Sequence, residues 1–124
     1  MLRPVHFGAW HPISEAGAAA PDAAGVLQTR AEGVMDYRAG RSAMVMYACA
    51  GPNETLRHFV AGRGARDLQR AVAAGARWIR FAEAVDAPAE LDRLLKSFHE
   101  RFGSLPIANA GSARRLSGDR DAED

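Results

Sequence analysis

The strongest constraint in this sequence is a short apolar segment at residues 42–50, SAMVMYACA, which Gly51 and Pro52 follow. A nearly continuous apolar run of this length, ended by turn residues, predicts a buried central β-strand. Residues 25–32 (GVLQTRAE) predict a preceding strand. Because the connection at residues 33–40 is short and contains glycine, we expect the two strands to pair as a hairpin.

A third strand is predicted at residues 77–84 (RWIRFAEA), where apolar Ile79 and Phe81 alternate with their neighbours. Ahead of the first strand, residues 13–20 predict a short helix with Ser14 as its N-cap.

The remaining elements are predicted to be helices. Asn53 is expected to cap one that ends at Gly62, and a second covers residues 65–74 before Gly75. Asp86 is expected to open the longest helix, which Gly103 ends. The apolar positions of that helix recur at helical spacing and predict one face packed on the sheet, namely Leu91, Leu94, Leu95, Phe98 and Phe102.

The order helix, two strands, two helices, strand, helix provides too few strands for a doubly wound sheet. It predicts an α+β fold with a small, mainly antiparallel three-stranded sheet flanked by helices. At 124 residues, the chain is expected to form a single domain over residues 1–109. Residues 110–124 are small and charged, with few apolar side chains, so we expect a disordered C-terminal tail.

The charge balance sets limits on binding partners. The formal net charge is only +1, so any contact with nucleic acid needs a local basic patch. The single cysteine, Cys49, excludes an intramolecular disulfide. Because the sequence has neither a signal-peptide pattern nor an apolar run of about 18 residues, we expect a cytoplasmic protein without a membrane partner.

Several short elements occur in the order and spacing of one known family. Gly25-Val26-Leu27 and Tyr47-Ala48-Cys49 lie on the two paired strands, and Arg57 follows Tyr47 by ten residues. The closing segment contains Gly103-Ser104-Leu105-Pro106 and then Asn109. Together these elements resemble the GIY-YIG nuclease superfamily over most of the chain, from about residue 20 to residue 109, and the resemblance implies that family's fold.

In active members, the resemblance implies a phosphodiester hydrolase that uses one divalent cation, Mg²⁺ or Mn²⁺. Tyr47 and Arg57 would be the catalytic residues. The first tyrosine of the pattern is replaced by Leu27, the second glycine by Cys49, and the metal-binding glutamate by Leu91.

Glu90 is the nearest acid to the lost metal position. If Leu91 faces the sheet, Glu90 points to the edge of that face, since one residue turns a helix by about 100°. A weak metal site at Glu90 is one interpretation. Loss of metal binding, with no cofactor, is the other, and it is the one we favour.

Arg63, Arg66 and Arg70 follow one another at close spacing, and with Arg57 they could form a basic strip for the phosphates of a nucleic acid. The alternative is a solvated helix face, which Asp67 makes more favourable. The same ambiguity applies to Tyr47, which could be a core residue with a bonded hydroxyl.

Three functional hypotheses follow. The first is a catalytically degenerate GIY-YIG-like domain that binds nucleic acid or a protein partner without cleaving. The second is a divergent, metal-dependent endonuclease using Tyr47, Arg57 and Glu90. The third is a structural or oligomerising module.

Overall fold

The computed structural model of the protein describes residues 5–109. Its strands are β1 (His11–Pro12), β2 (Gly25–Tyr37), β3 (Gly40–Cys49) and β4 (Ala76–Glu83). Its helices are α1 (Ala16–Ala19), α2 (Leu56–Ala61), α3 (Ala65–Ala73) and α4 (Ala87–Phe102), and a 3-10 turn at Ile13–Glu15 precedes α1. The predicted tail at residues 110–124 lies outside the described residues.

The strands form one antiparallel sheet in the order β1-β4-β2-β3. The α+β class and the antiparallel sheet flanked by helices are therefore confirmed. The sequence prediction missed β1, because a strand of two residues leaves no alternating pattern to detect. Among the described residues, no helix has the length and apolar character needed to cross a bilayer.

Strand β2 is covered on both faces, so it is buried through Gly25–Thr29. Its odd-numbered residues, such as Leu27, pack in a cluster with α1, α2 and α3. Its even-numbered residues, such as Val26, pack in a second cluster with α4 and the segment at residues 5–10. We call these two sides of the sheet the α1–α3 face and the α4 face.

The apolar segment at residues 42–50 was predicted to be the central strand, and this position is wrong. It forms most of β3, which is the last strand of the sheet. Val45 and Met46 are nevertheless fully buried. Helices cover both faces of β3, and the Asn109 side chain bonds to its outer edge. The apolar composition therefore reflects this cover and not a central position.

The hairpin between β2 and β3 is longer than predicted, since only Arg38 and Ala39 separate the two strands. Tyr37 fixes the extension. Its hydroxyl donates to the Met44 carbonyl at 2.6 Å, and its ring packs edge-on against Phe98 of α4 with centroids 5.0 Å apart. The turn residues in the sequence indicated a loop, but contact with α4 holds this stretch extended.

The helix boundaries follow local capping signals at α4. The Asp86 side chain accepts from the Ala89 N–H, and Gly103 ends the helix in the left-handed conformation with φ 79°. Both predictions are confirmed. The segment at residues 13–20 instead divides into the 3-10 turn and the short α1. Ser14 lies inside that turn, so its hydroxyl is not at a cap position.

The Asn53 cap is also wrong, because Thr55 caps α2 by accepting from the His58 N–H at 3.1 Å. Asn53 lies in the turn before the helix with φ 60°, a conformation that asparagine tolerates better than most residues. At the start of β2, Gly25 passes so close to β4 that a Cβ atom would collide with the Ala82 carbonyl.

The first prediction concerns the centre of the sheet. Leu27 has no exposed surface. Leu27→Ala is expected to lower the free energy of unfolding by about 2–5 kcal/mol, because it leaves a cavity between the sheet and α2. Val34→Ala, at a position that is 55% exposed, should change it by less than about 0.5 kcal/mol. Equal effects of the two substitutions in denaturant unfolding would refute this placement of β2.

Candidate functional site

The outer edge of β3 borders a cleft of about 240 Å³ that lies between α3 and α4. Its lining is both polar and apolar. The polar residues come from β3, α3, the turn before α3 and the C-terminal segment, and they are Tyr47, Cys49, Arg63, Asp67, Arg70 and Asn109. The apolar residues come from β3, α2 and α4, and they are Met46, Ala48, Phe59 and Leu91. Because β3 is an edge strand, its alternating side chains reach the cleft from both faces of the sheet.

Arg63 is held in place by two contacts. Its guanidinium donates to the Glu54 carboxylate at 2.8 Å, and it lies over the Phe59 ring, 4.9 Å from the centroid. The hydrogen bond from Arg63 lowers the pKa of Glu54, so that this carboxylate stays charged. Gly64 allows the Phe59 ring to lie against the backbone, since a Cβ atom at this position would clash with that ring. The glycine-rich break after α2 thus positions a cation at the cleft.

Arg70 joins α3 to the segment that follows α4. One of its terminal nitrogens lies 3.0 Å from the Asp67 carboxylate, and its Nε donates to the Ala108 carbonyl at 3.3 Å. Half of the guanidinium is therefore engaged by the protein, and the remaining N–H groups are free to bond elsewhere.

Asn109 closes the edge of the sheet. Its side-chain oxygen accepts from the Tyr47 N–H at 2.8 Å, and its amide nitrogen donates to the Tyr47 carbonyl at 2.9 Å. This pair of bonds reproduces what a neighbouring strand would supply. Asn109 thereby fixes the backbone of β3 where it borders the cleft.

Tyr47 lies in a polar row that crosses three strands on the α4 face. Gln28 donates to the Tyr47 hydroxyl at 3.0 Å, and Arg80 donates to the Gln28 oxygen at 2.5 Å. Burial raises the pKa of Tyr47 and outweighs the opposing effects of the Gln28 hydrogen bond and of Arg80 and Arg93. The phenol is therefore neutral and bonded at ordinary pH.

The predicted basic strip is divided between two places. Arg63 and Arg70 line the cleft with Tyr47, and Arg66 is exposed on α3. Arg57 lies elsewhere: it is exposed on the first turn of α2, and its Nε donates to the Ala20 carbonyl at the end of α1. Its spacing from Tyr47 in the sequence therefore does not bring the two side chains together.

The rotation of α4 differs from the expectation. Glu90 is only 1% exposed and faces the sheet, and Leu91 beside it is half-buried, packs against the core cluster on the α4 face and forms part of the cleft wall. The small Ala87 packs with Val26 and Ala82, which turns this side of α4 inward. Arg93 donates to the Glu90 carboxylate and compensates its burial.

Acid and thiol groups at the cleft do not gather into a metal-ligand set. Within residues 5–109, no group of three or more His, Cys, Asp or Glu side chains is placed to hold a metal ion. Cys49 is partly buried, and that burial raises the pKa of its thiol despite the nearby Arg63. Its thiol form is favoured over the nucleophilic thiolate.

The sequence analysis missed Gln28, Arg80 and Asp67 as site residues. Gln28 had a detectable signal, since it is a polar residue within a strand whose neighbours are apolar. The role of Arg80 depends on register, because β2 places Gln28 directly between Tyr47 and Arg80.

Comparison of the chain with protein-family models, with curated proteins and with solved structures found no match.

The edge contact at Asn109 yields a stability prediction. Asn109→Ala removes both bonds to the Tyr47 backbone and should lower the free energy of unfolding by about 1–3 kcal/mol. Asn109→Asp keeps the acceptor for the Tyr47 N–H but places a second acceptor oxygen against the Tyr47 carbonyl, so it should also be destabilising. Hydrogen exchange at the Tyr47 amide should accelerate in the alanine variant; an unchanged rate would contradict the contact.

The two tyrosines of the chain, Tyr37 and Tyr47, yield a pH prediction. Burial raises the pKa of each above 10.0 in the folded protein. Their contribution to stability is therefore complete below the unfolded value of about 10 and is lost as the pH rises through the folded-state pKa. In absorbance titration, phenolate should form at higher pH in the folded than in the unfolded chain. Coincident curves would contradict the burial, and Tyr47→Phe isolates Tyr37.

Proposed function

We propose that this chain is a GIY-YIG-like domain that binds the phosphate backbone of a nucleic acid in the cleft beside β3 and does not cleave it. The observation that carries the proposal is the convergence of Arg63 and Arg70 with Tyr47 and Asn109 at one open cleft. Guanidinium groups are the side chains best suited to two-point contact with phosphate.

The charge at the cleft supports an anionic ligand. Arg63 and Arg70 line the cleft, and each is paired with one carboxylate, that of Glu54 or of Asp67. Arg66 lies outside the lining, exposed on the same helix as Arg70, and adds one further positive charge. Each acid engages one edge of its arginine, which orders the side chain before binding and leaves other N–H groups available. A phosphate that spans Arg63 and Arg70 would replace water at those free donors.

Three positions support binding without hydrolysis. Leu27 is buried on the α1–α3 face, where it packs as a core residue. Leu91 provides an apolar wall at the cleft. Glu90, the acid next to Leu91 in the sequence, is buried beneath α4 and engaged by Arg93. The groups that the resemblance would assign to water activation and metal binding thus have structural contacts instead.

The runner-up proposal is a divergent endonuclease that requires Mg²⁺ or Mn²⁺. It is favoured by one observation: Glu90 lies on the side of α4 that faces the sheet, and Phe98 on α4 contacts the ring of Tyr47. The third hypothesis is a module that binds only a protein partner or has only a structural role. It does not account for the presence of both Arg63 and Arg70 at one cleft.

The test is fluorescence anisotropy with labelled single- and double-stranded oligonucleotides at two salt concentrations. The double variant Arg63→Gln/Arg70→Gln should bind at least about tenfold more weakly and show a shallower salt dependence. The double variant Arg57→Gln/Arg41→Gln is the matched control, because it also removes two arginines, both exposed and away from the cleft. It should bind like the wild type, as should Arg57→Gln alone.

Three results would overturn the proposal. Absence of binding by the wild type at low salt would leave the structural or protein-binding role. Nicking of the oligonucleotides with Mg²⁺ or Mn²⁺, abolished by Glu90→Gln, would establish the nuclease instead. Binding that is lost in Arg57→Gln and kept in Arg63→Gln/Arg70→Gln would move the site to α2.

A further inference from the structure

A second group of cations lies on the α4 face, on the opposite side of the sheet centre from the cleft. The Arg80 guanidinium lies 4.8 Å from the centroid of Phe7 and 4.4 Å from that of Trp10. The Arg30 guanidinium lies 4.8 Å from Trp10 and 5.9 Å from Trp78. We call these five side chains the arginine–aromatic cluster.

The strand register creates the cluster. Gln28 pairs with Arg80 and Arg30 pairs with Trp78, so the two arginines are diagonal neighbours on the same face of β2 and β4. Phe7 and Trp10 come from the segment before β1. That segment is held on β4 by the hydrogen bond from Gly8 N–H to the Phe81 carbonyl at 2.9 Å and by the pairing of β1.

The two arginines differ from Arg70, the other half-buried arginine among the described residues. Arg70 bonds to a carboxylate, whereas the ion pairs among residues 5–109 include neither Arg30 nor Arg80. Arg80 bonds to the neutral Gln28. The Nε of Arg30 is buried and has no hydrogen-bond partner within the described residues. Within the described part of the chain, two adjacent cations are thus held together without an ion-pair partner.

We propose that Arg30 and Arg80 form a binding site for a phosphate-type oxyanion, separate from the cleft beside β3. Aromatic rings lie over both guanidinium groups, whose N–H donors lie in the guanidinium plane. The Nε of Arg30 is buried and that of Arg80 bonds to Gln28, so the terminal nitrogens of the two side chains are the groups that would meet a ligand. An oxyanion with several oxygen atoms could bond to both guanidinium groups and neutralise their repulsion.

This site has a built-in optical reporter, since Trp10 and Trp78 are the two tryptophans of the chain. Inorganic phosphate is titrated into the full chain at constant ionic strength, with chloride as the reference anion, and tryptophan fluorescence is recorded. We expect a saturable change with phosphate and none with chloride. A parallel titration with a nucleoside monophosphate distinguishes the source: tighter binding indicates a nucleotide, and equal binding indicates free oxyanion.

The variants separate charge from geometry. Arg30→Gln should weaken phosphate binding by about tenfold or more, because it removes charge-assisted hydrogen bonds. Arg30→Lys keeps the positive charge and removes the planar pair of N–H donors, so phosphate binding should weaken to an intermediate extent. Arg41→Gln, on the hairpin, removes the same charge at an exposed position and should bind like the wild type.

The outcome is decisive even where a variant is unstable, because the wild type is tested first. No saturable change with phosphate in the wild type, or equal affinity in Arg30→Gln and wild type, would overturn the proposal. Circular dichroism identifies a variant that fails to fold, in which case Arg30→Lys gives the comparison. Arg63→Gln/Arg70→Gln should leave this fluorescence response intact, so failure here is independent of the cleft.

Discussion

The side-chain amide of Gln28 joins the three long strands on the α4 face, and both polar regions of the molecule depend on it. Gln28 is buried in β2, accepts from Arg80 on one side and donates to Tyr47 on the other. A buried amide without these partners would cost about 1–3 kcal/mol, so the pairings hold the register of β2 with both neighbours. The cleft lies beyond Tyr47, and the arginine–aromatic cluster lies beyond Arg80.

Cover on both faces of a small sheet explains where polar groups are allowed. Helices on the α1–α3 face leave only Thr29 as a polar side chain at the middle of β2 there. On the α4 face, one helix and the N-terminal segment divide the cover, and the polar row crosses between them. The cleft and the arginine–aromatic cluster therefore lie at the two ends of that row. Asn109 stabilises the β3 end by bonding to the strand edge, and stacking on Trp10 stabilises the β4 end.

Local signals predicted the ends of α4 correctly, although the caps expected at Ser14 and Asn53 were wrong. Asp86 and Gly103 set the limits of α4, because capping depends on neighbouring backbone alone. The edge position of β3 and the direction of Arg57 were not accessible, since both depend on packing between distant segments. The rotation of α4 is the clearest case: leucine spacing favoured Leu91 as the residue facing the sheet, and Arg93 permits Glu90 to be buried there as well. The spacing of apolar residues does not reveal that a charged side chain can be buried when a neighbour of opposite charge bonds to it.

The central claim is that the cleft beside β3 is the ligand-binding surface, and arginine side-chain NMR tests it most directly. The Nε–H signals of the ¹⁵N-labelled chain are followed as a short oligonucleotide is added at low salt. The account predicts that the signals of Arg63 and Arg70 shift together with the Asn109 side-chain amide, while that of Arg57 stays in place. Shifts centred on Arg57, with Arg63 and Arg70 unchanged, would contradict it.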